Sequence, residues 1–129
     1  VLFVESFAWI AAPHWRSCAG QPLPLSTQGE TCSIRAAAVR ALDIAGIAWT
    51  EVFIGKGAAV VGAAATIGLA VAVLPKRAAP SGTIDIGHAL SLPKLPTHEV
   101  VLYSALHDRR SRNALHTLAM AFKNLSKTT

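Results

Sequence analysis

Apolar residues are unevenly spread along the chain, and the longest uncharged stretch runs from Gly57 to Pro75. Its length approaches the roughly 20 apolar residues that cross a bilayer. Much of it is glycine and alanine, however, which contribute little transfer free energy. The pattern therefore favours a short helix over Ala58–Ile67 that Gly68 ends, followed by a strand over Leu69–Leu74 with two apolar faces. A membrane span over residues 57–75 is the alternative.

A second helical pattern lies upstream of that stretch. Apolar residues recur at spacings of three and four over Ile34–Ala45, which predicts an amphipathic helix. Thr31 or Ser33 is expected to cap its beginning, and Gly46 to end it in a left-handed conformation. Arg35 is expected on the solvated side of this helix.

The remaining periodic segments predict strands and a last helix that begins near Ser111. Up to Pro75 the order is strand, helix, strand, helix, strand, which predicts an α/β layered fold with mainly parallel pairing. The predicted strands are Val1–Ile10, an extended approach at Pro22–Leu25, Trp49–Ile54, a short one near Thr83–Ile86, and Glu99–Leu106.

The composition includes enough apolar residues to form a core. Of its 129 residues 52% are hydrophobic and 15% charged, which is typical of one domain or part of one. The net charge is +5, and the densest positive cluster is His107–Arg112. No aromatic residue lies among its arginines, so a surface that stacks single-stranded nucleic acid is not expected. We interpret the cluster as a polar loop before a helix, with Asp108 or Ser111 as the cap.

The two cysteines and the N-terminus bear on the cellular compartment. Cys18 and Cys32 form no CxxC motif and have no paired histidines, so neither a zinc site nor a disulfide framework is predicted. Reduced thiols and a cytoplasmic location are the simplest expectation. Val1–Ile10 carries no basic region or cleavage site, so it is not interpreted as a signal peptide. A chain that begins within a strand is expected to be a piece of a longer protein.

The most site-like feature is the loop Gln28–Ser33, which leads into the first predicted helix. Its backbone N–H groups, its hydroxyls and the helix dipole suit an anion. It lacks the GxGxxG and GxxxxGK patterns of nucleotide-binding loops. No HExxH, GxSxG or acid–base pair is present, so enzymatic activity, a metal and a cofactor are not expected. Cys32 beside Arg35 could be an activated thiol, but a buried and inert cysteine is favoured.

Five segments carry a more specific pattern: PLPL (22–25), TCSIR (31–35), ALDIAGIAW (41–49), GLAVAVLP (68–75) and SLPKLPTHEVVLY (91–103). Their order and spacing resemble the effector-binding domain of LysR-type bacterial transcriptional regulators, over nearly the whole chain. The resemblance implies a fold similar to the type 2 periplasmic binding proteins, a three-layer α/β/α fold with a mixed sheet. In that fold two α/β subdomains, hinged by crossover strands, enclose a small-molecule effector.

The same resemblance divides the chain. It implies that residues 1–96 form the second effector-binding subdomain, and that residues 97–129 supply a crossover strand and a C-terminal helix of the first. The module is then incomplete and lacks the N-terminal helix-turn-helix, so DNA would be bound only through that missing domain. Self-association is expected as an antiparallel dimer, with the helix Ala58–Ile67 at the interface, and as a tetramer in the full-length protein.

Effector contacts are implied at the junction between loop and helix. The resemblance therefore predicts a non-enzymatic ligand-sensing protein. The donor-rich loop Gln28–Ser33 suggests that its effector is a small anion or a polar metabolite. Two alternatives are a solute-binding protein of the same fold and, less favoured, a small membrane protein that spans with residues 57–75. The predicted effector-binding residues are Thr31, Cys32, Ser33 and Ile34, with Gly29 and Arg35 as weaker additions.

Overall fold

A computed structural model describes residues 3–100 and 109–127. The elements in chain order are β1 (Phe3–Glu5), β2 (Phe7–Ala11), β3 (Leu23–Thr27), α1 (Ser33–Ile44), β4 (Trp49–Ile54), α2 (Ala58–Thr66), β5 (Val71–Pro75), a 3-10 turn (Lys76–Ala78), β6 (Ile84–Asp85), β7 (His98–Val100) and α3 (Arg109–Lys127). The protein is thus a mixed α/β fold, as the order of periodic segments predicts.

The chain divides into two compact units. One is Phe7–Pro96, and the other combines Val1–Ser6 with Thr97–Thr129. The sequence interpretation instead places residues 1–6 with the segment that ends at residue 96. The assignment of these units to LysR-like subdomains stays a prediction.

The larger unit is built on a five-stranded sheet with the order β4-β3-β5-β2-β6. β3 pairs parallel to both β4 and β5. β2 pairs antiparallel to β5 and to the short edge strand β6. The expectation of mainly parallel pairing is therefore wrong, and the sheet is mixed. The reason is the insertion of β2 between β5 and β6, a long-range arrangement that local periodicity does not encode.

The central strand β5 is buried on both faces, as its two apolar faces predict. Val71 and Val73 belong to the core on the side of α1. Ala72 and Leu74 belong to a second core on the side of α2. Helices therefore cover the two faces of the sheet.

The ends of α1 confirm one prediction and correct another. Gly46 has φ of 73°. Its N–H donates to the carbonyl of Asp43 at 3.1 Å, and the N–H of Ile47 donates to that of Leu42 at 2.9 Å. This is the predicted left-handed ending. At the other end the N-cap is Cys32, with no side-chain capping hydrogen bond. Capping by Thr31 or Ser33 is therefore wrong.

The uncharged stretch folds as a helix followed by a strand, as predicted. α2 ends at Thr66, Gly68 has φ of 83°, and the N–H of Leu69 donates to the carbonyl of Ala64 at 3.0 Å. Residues 57–75 are thus no continuous helix. In the described part of the chain, no helix is both long and apolar enough to span a membrane.

Small residues let α2 lie close to its neighbours. A Cβ atom at Gly62 would come within 2.8 Å of Cγ of Pro80 and within 3.3 Å of Cδ1 of Leu74. The buried hydroxyl of Ser26 on β3 donates to the carbonyl of Val61 at 2.9 Å. Helix and sheet are therefore joined by close packing and by a direct hydrogen bond.

The smaller unit corrects the predicted N-terminal strand. The described part of Val1–Ile10 forms two strands that break at Ser6, and β1 pairs antiparallel with β7. Of the predicted strand Glu99–Leu106, residues 101–106 lie outside the described residues. The basic cluster lies partly outside them too, but α3 already begins at Arg109, so Ser111 is inside the helix and is not its cap.

Candidate functional site

The loop from Gln28 to Cys32 lies where β3 ends and α1 begins. Gly29 is buried and has φ of 94°, a conformation that favours glycine. A Cβ atom there would also lie 3.3 Å from Cγ2 of Ile54. The N–H of Cys32 donates to the carbonyl of Gly29 at 3.1 Å and closes the loop as a tight turn. The structure therefore gives this loop a defined shape.

Thr27, the last residue of β3, fixes the loop to the sheet. Its side chain is 5% exposed. The hydroxyl Oγ1 accepts a hydrogen bond from the N–H of Gly29 at 3.0 Å and donates to Oε2 of Glu51 at 2.5 Å. Through Thr27, the start of the loop is thus connected to a carboxylate on the neighbouring strand β4.

Glu51 holds Arg35 of α1 in a two-pronged ion pair. Nε of Arg35 donates to Oε2 at 2.9 Å, and Nη2 donates to Oε1 at 3.1 Å. The two side chains are 16% and 15% exposed, and the guanidinium carbon lies 5.6 Å from the ring centre of Trp49. The prediction that Arg35 lies on the solvated side is therefore wrong, because the partner comes from β4.

The ion pair shifts the pKa of both groups in the direction that favours their charged forms. The hydrogen bond from Arg35 lowers the pKa of Glu51, partial burial opposes it, and the bond from Thr27 lowers it further. The hydrogen bond to Glu51 raises the pKa of Arg35 against the opposing effect of burial. Both groups stay ionised near neutral pH, and each charge is neutralised by the other.

A second helix begins beside the same loop. The side-chain carbonyl Oε1 of Gln28 accepts a hydrogen bond from the N–H of Gly57 at 3.3 Å. Gly57 is the N-cap of α2, with φ of 88°. The N–H of Gly55 donates to the carbonyl of Thr27 at 3.0 Å. Two strand ends and two helix beginnings therefore meet around Gln28.

The six predicted site residues differ in their exposure and in their contacts. Thr31 and Ser33 are exposed, and Cys32 is half-buried. Gly29 and Ile34 are buried, so the side chain of Ile34 serves the core under α1, and Arg35 is occupied by Glu51. The side-chain donors that face solvent are thus the hydroxyls of Thr31 and Ser33. The N–H groups of the first turn of α1 have no acceptor within the helix.

Sequence reasoning did not select Thr27 or Glu51. A usable signal was present for Glu51, because it shares the inward face of β4 with Trp49 and Phe53. A carboxylate on such a face needs a charged or hydrogen-bonding partner. Arg35 is that partner, but pairing them requires knowing that α1 packs beside β4.

The space beneath the loop is very small. A cavity of about 10 Å³, lined in part by Thr27, Cys32, Arg35 and Val73, has room for a single water molecule. Within this unit, a ligand would therefore rest on the exposed side of the loop. Among the described residues, no group of three or more His, Cys, Asp and Glu side chains could hold a metal ion.

Comparisons with known proteins add no family. No protein-family model matches the chain, and a search of the curated proteins found no match.

Proposed function

We propose that this chain is the ligand-sensing part of a LysR-type bacterial transcriptional regulator, with a fold similar to the type 2 periplasmic binding proteins. The observation that carries the proposal is the position of the loop Gln28–Cys32. It follows β3 at the carboxyl end of parallel strands and leads into α1. Open α/β sheets bind ligands at that edge, and the family resemblance places the effector contacts on the same residues.

The organisation of the chain supports the same proposal. The LysR-like fold has two subdomains connected by crossover strands, and this chain passes twice between its two units, at residues 6–7 and 96–97. Three of the LysR-like segments coincide with β3, with the beginning of α1, and with β5 together with the turn before it. A mixed sheet is also what the resemblance implies.

The effector is then a small anion or a polar metabolite. Thr31 and Ser33 supply hydroxyls, and the first turn of α1 supplies N–H groups and the positive end of the helix dipole. Arg35 does not supply its charge directly, since Glu51 neutralises it. Its role in the proposal is to fix the beginning of α1 against β4, so that the donors are preorganised.

Regulation follows from two conformations of the full-length protein. An effector that contacts both subdomains shifts their relative orientation only as far as its affinities for the two states differ. The orientation then sets the geometry of the DNA-binding dimer, which the N-terminal domain of the full-length protein provides in the cytoplasm.

Self-association is proposed through the outer face of α2. Val60 is 46% exposed and Ile67 72% exposed, and Ala59 and Ala63 on the same helix are exposed as well. An apolar face of small and branched residues suits close packing against a second copy. In the proposal the two copies lie antiparallel.

The test is thermal-shift screening of the full-length protein against small anions and polar metabolites. For a stabilising ligand, Thr31→Ala or Ser33→Ala should weaken binding about tenfold or more, since a hydrogen bond to a charged group contributes roughly 1.5–3 kcal/mol. Thr50→Ala, which removes another exposed hydroxyl of the same unit, should leave binding unchanged. Equal stabilisation of all three variants would contradict the placement of the effector.

The coding sequence upstream of Val1 tests the class of protein independently. A winged helix-turn-helix there supports a regulator. A secretory leader there would instead support a solute-binding protein of the same fold.

A further inference from the structure

A cavity of about 240 Å³ lies at the end of the sheet opposite the loop Gln28–Cys32. Its lining includes Leu23, the first residue of β3, and Ala48, which directly precedes β4. Its described lining residues belong to the unit Phe7–Pro96. The proposed function makes no use of this cavity.

The lining is apolar inside and carries both polar and apolar residues at the mouth. Leu23 is 8% exposed and forms the floor. The rim carries the exposed polar residues Ser17, Cys18 and Gln21, with Pro22 and Ala48 as exposed apolar neighbours. Among the residues that the structure describes, no charged side chain lines the cavity. The walls are the half-buried side chains of Trp15, Pro24, Ile47, Leu90 and Leu92.

Backbone hydrogen bonds hold the walls in place. The N–H of Trp15 donates to the carbonyl of Ala12 at 3.0 Å, and that of Gln21 donates to Cys18 at 3.0 Å. On the opposite wall, the N–H of Leu92 donates to the carbonyl of Gly87 at 2.8 Å. The cavity is therefore shaped by the fold before any ligand enters.

Size and lining define the class of ligand. The volume exceeds the roughly 150 Å³ of an apolar cavity that binds benzene, and lies below the roughly 300 Å³ at which sites for drug-sized molecules begin. An ion would lose its hydration here without a charged partner. The indole of Trp15 offers a flat aromatic surface for stacking.

We propose that this cavity binds an uncharged single-ring aromatic molecule, with its ring against Trp15 and Leu90 and its polar group toward Ser17 or Gln21. The site is independent of the effector-binding loop. Whether a ligand binds in this cavity therefore does not depend on the proposed regulator function.

A neighbouring cavity suits a different class of ligand. It measures about 280 Å³, shares Trp15, Ser17 and Leu90 with the first, and includes Arg16. One guanidinium nitrogen of Arg16 donates to the carbonyls of Pro13 and Trp15, and the side chain is otherwise exposed. This cavity would favour an aromatic anion over its uncharged counterpart.

The two cysteines provide a direct assay on the full 129-residue chain. Cys18 is exposed at the rim of the first cavity, whereas Cys32 is half-buried at the other end of the sheet. Phenol, titrated through the millimolar range, should saturably slow alkylation of Cys18 by iodoacetamide by about fivefold or more, because the bound ring covers the thiol. Alkylation of Cys32, read by peptide mass spectrometry in the same sample, should not change.

Two cavity-filling variants assign the site. Ala48→Leu occupies the first cavity and should abolish protection by phenol, whereas Ala89→Leu occupies only the second and should preserve it. Benzoate, with the same ring and a negative charge, should protect at least about tenfold less well. Absence of saturable protection would overturn the proposal. Stronger protection by benzoate, or loss of protection with Ala89→Leu alone, would overturn it in favour of an anion site beside Arg16.

Discussion

The two faces of the five-stranded sheet are packed in different ways. Under α1 the core contains large side chains such as Trp9, Leu25 and Leu42. Under α2 it is dominated by small ones such as Ala65 and Ala72. The first helix is therefore held by buried volume, with a charged pair at its beginning, and the second by close approach. Removing volume should damage the first face most, and adding volume should damage the second.

The largest effect is expected from Leu42→Ala on the face of α1. Leu42 is 0% exposed, and removing such a side chain costs roughly 2–5 kcal/mol in free energy of unfolding. Urea denaturation followed by tryptophan fluorescence measures this unit alone, since all three tryptophans (Trp9, Trp15 and Trp49) lie within Phe7–Pro96.

Ile44→Ala is the matched control on the same helix. Ile44 is 79% exposed, so its truncation should change the free energy of unfolding by less than about 0.5 kcal/mol. A similar loss from both variants would show that α1 does not bury the face described above.

Gly62→Ala tests the close packing on the face of α2. At an open helical position this change stabilises by up to about 1 kcal/mol. Here the new Cβ atom would meet the ring of Pro80 at 2.8 Å, so we expect a net loss of about 1–3 kcal/mol in free energy of unfolding. The double variant Gly62→Ala with Pro80→Ala should recover part of that loss. A stabilised single variant would mean that α2 and Pro80 are not in close contact.

Glu51→Gln tests the charged pair and should have the smallest effect of the three destabilising variants. Because the pair is bidentate but partly exposed, its loss should cost about 1 kcal/mol at neutral pH. The folded-state pKa of Glu51 is lowered from its ordinary value of 4.5. Its contribution is thus present above that value and is lost as the pH falls through the lower folded-state pKa.

The measurement is the difference in free energy of unfolding between the original chain and Glu51→Gln as a function of pH. The difference should be constant around neutral pH and shrink as the pH falls below 4.5. A difference that grows with acidity would contradict the ion pair. Thr50→Ala, on the same strand and exposed, is the control without a charge.

Elements whose signals are local could be predicted from the sequence. The end of α1 at Gly46 follows from a left-handed glycine. The bounds of β4 follow from strict alternation, and the division of the uncharged stretch follows from its small residues and Gly68. Each of these depends on residues that are neighbours along the chain.

Features that depend on long-range contacts could not be predicted from the sequence. The antiparallel placement of β2 and the break at Ser6 are decided by which strands meet, and no local pattern records that choice. The same holds in the candidate site. The periodicity of α1 places Arg35 correctly on a helix, but only the packing of α1 beside β4 brings it to Glu51 and removes it from solvent.

We propose that an effector binds at the loop Gln28–Cys32, at the carboxyl edge of the sheet. The most direct measurement is a backbone amide NMR titration of the isotope-labelled protein with a ligand that stabilises it in the thermal-shift screen. We predict that the largest chemical-shift changes fall on residues 28–35 and 55–57, which meet around Gln28. Changes confined to the lining of the opposite cavity, around Trp15 and Leu90, would contradict an effector site at this loop.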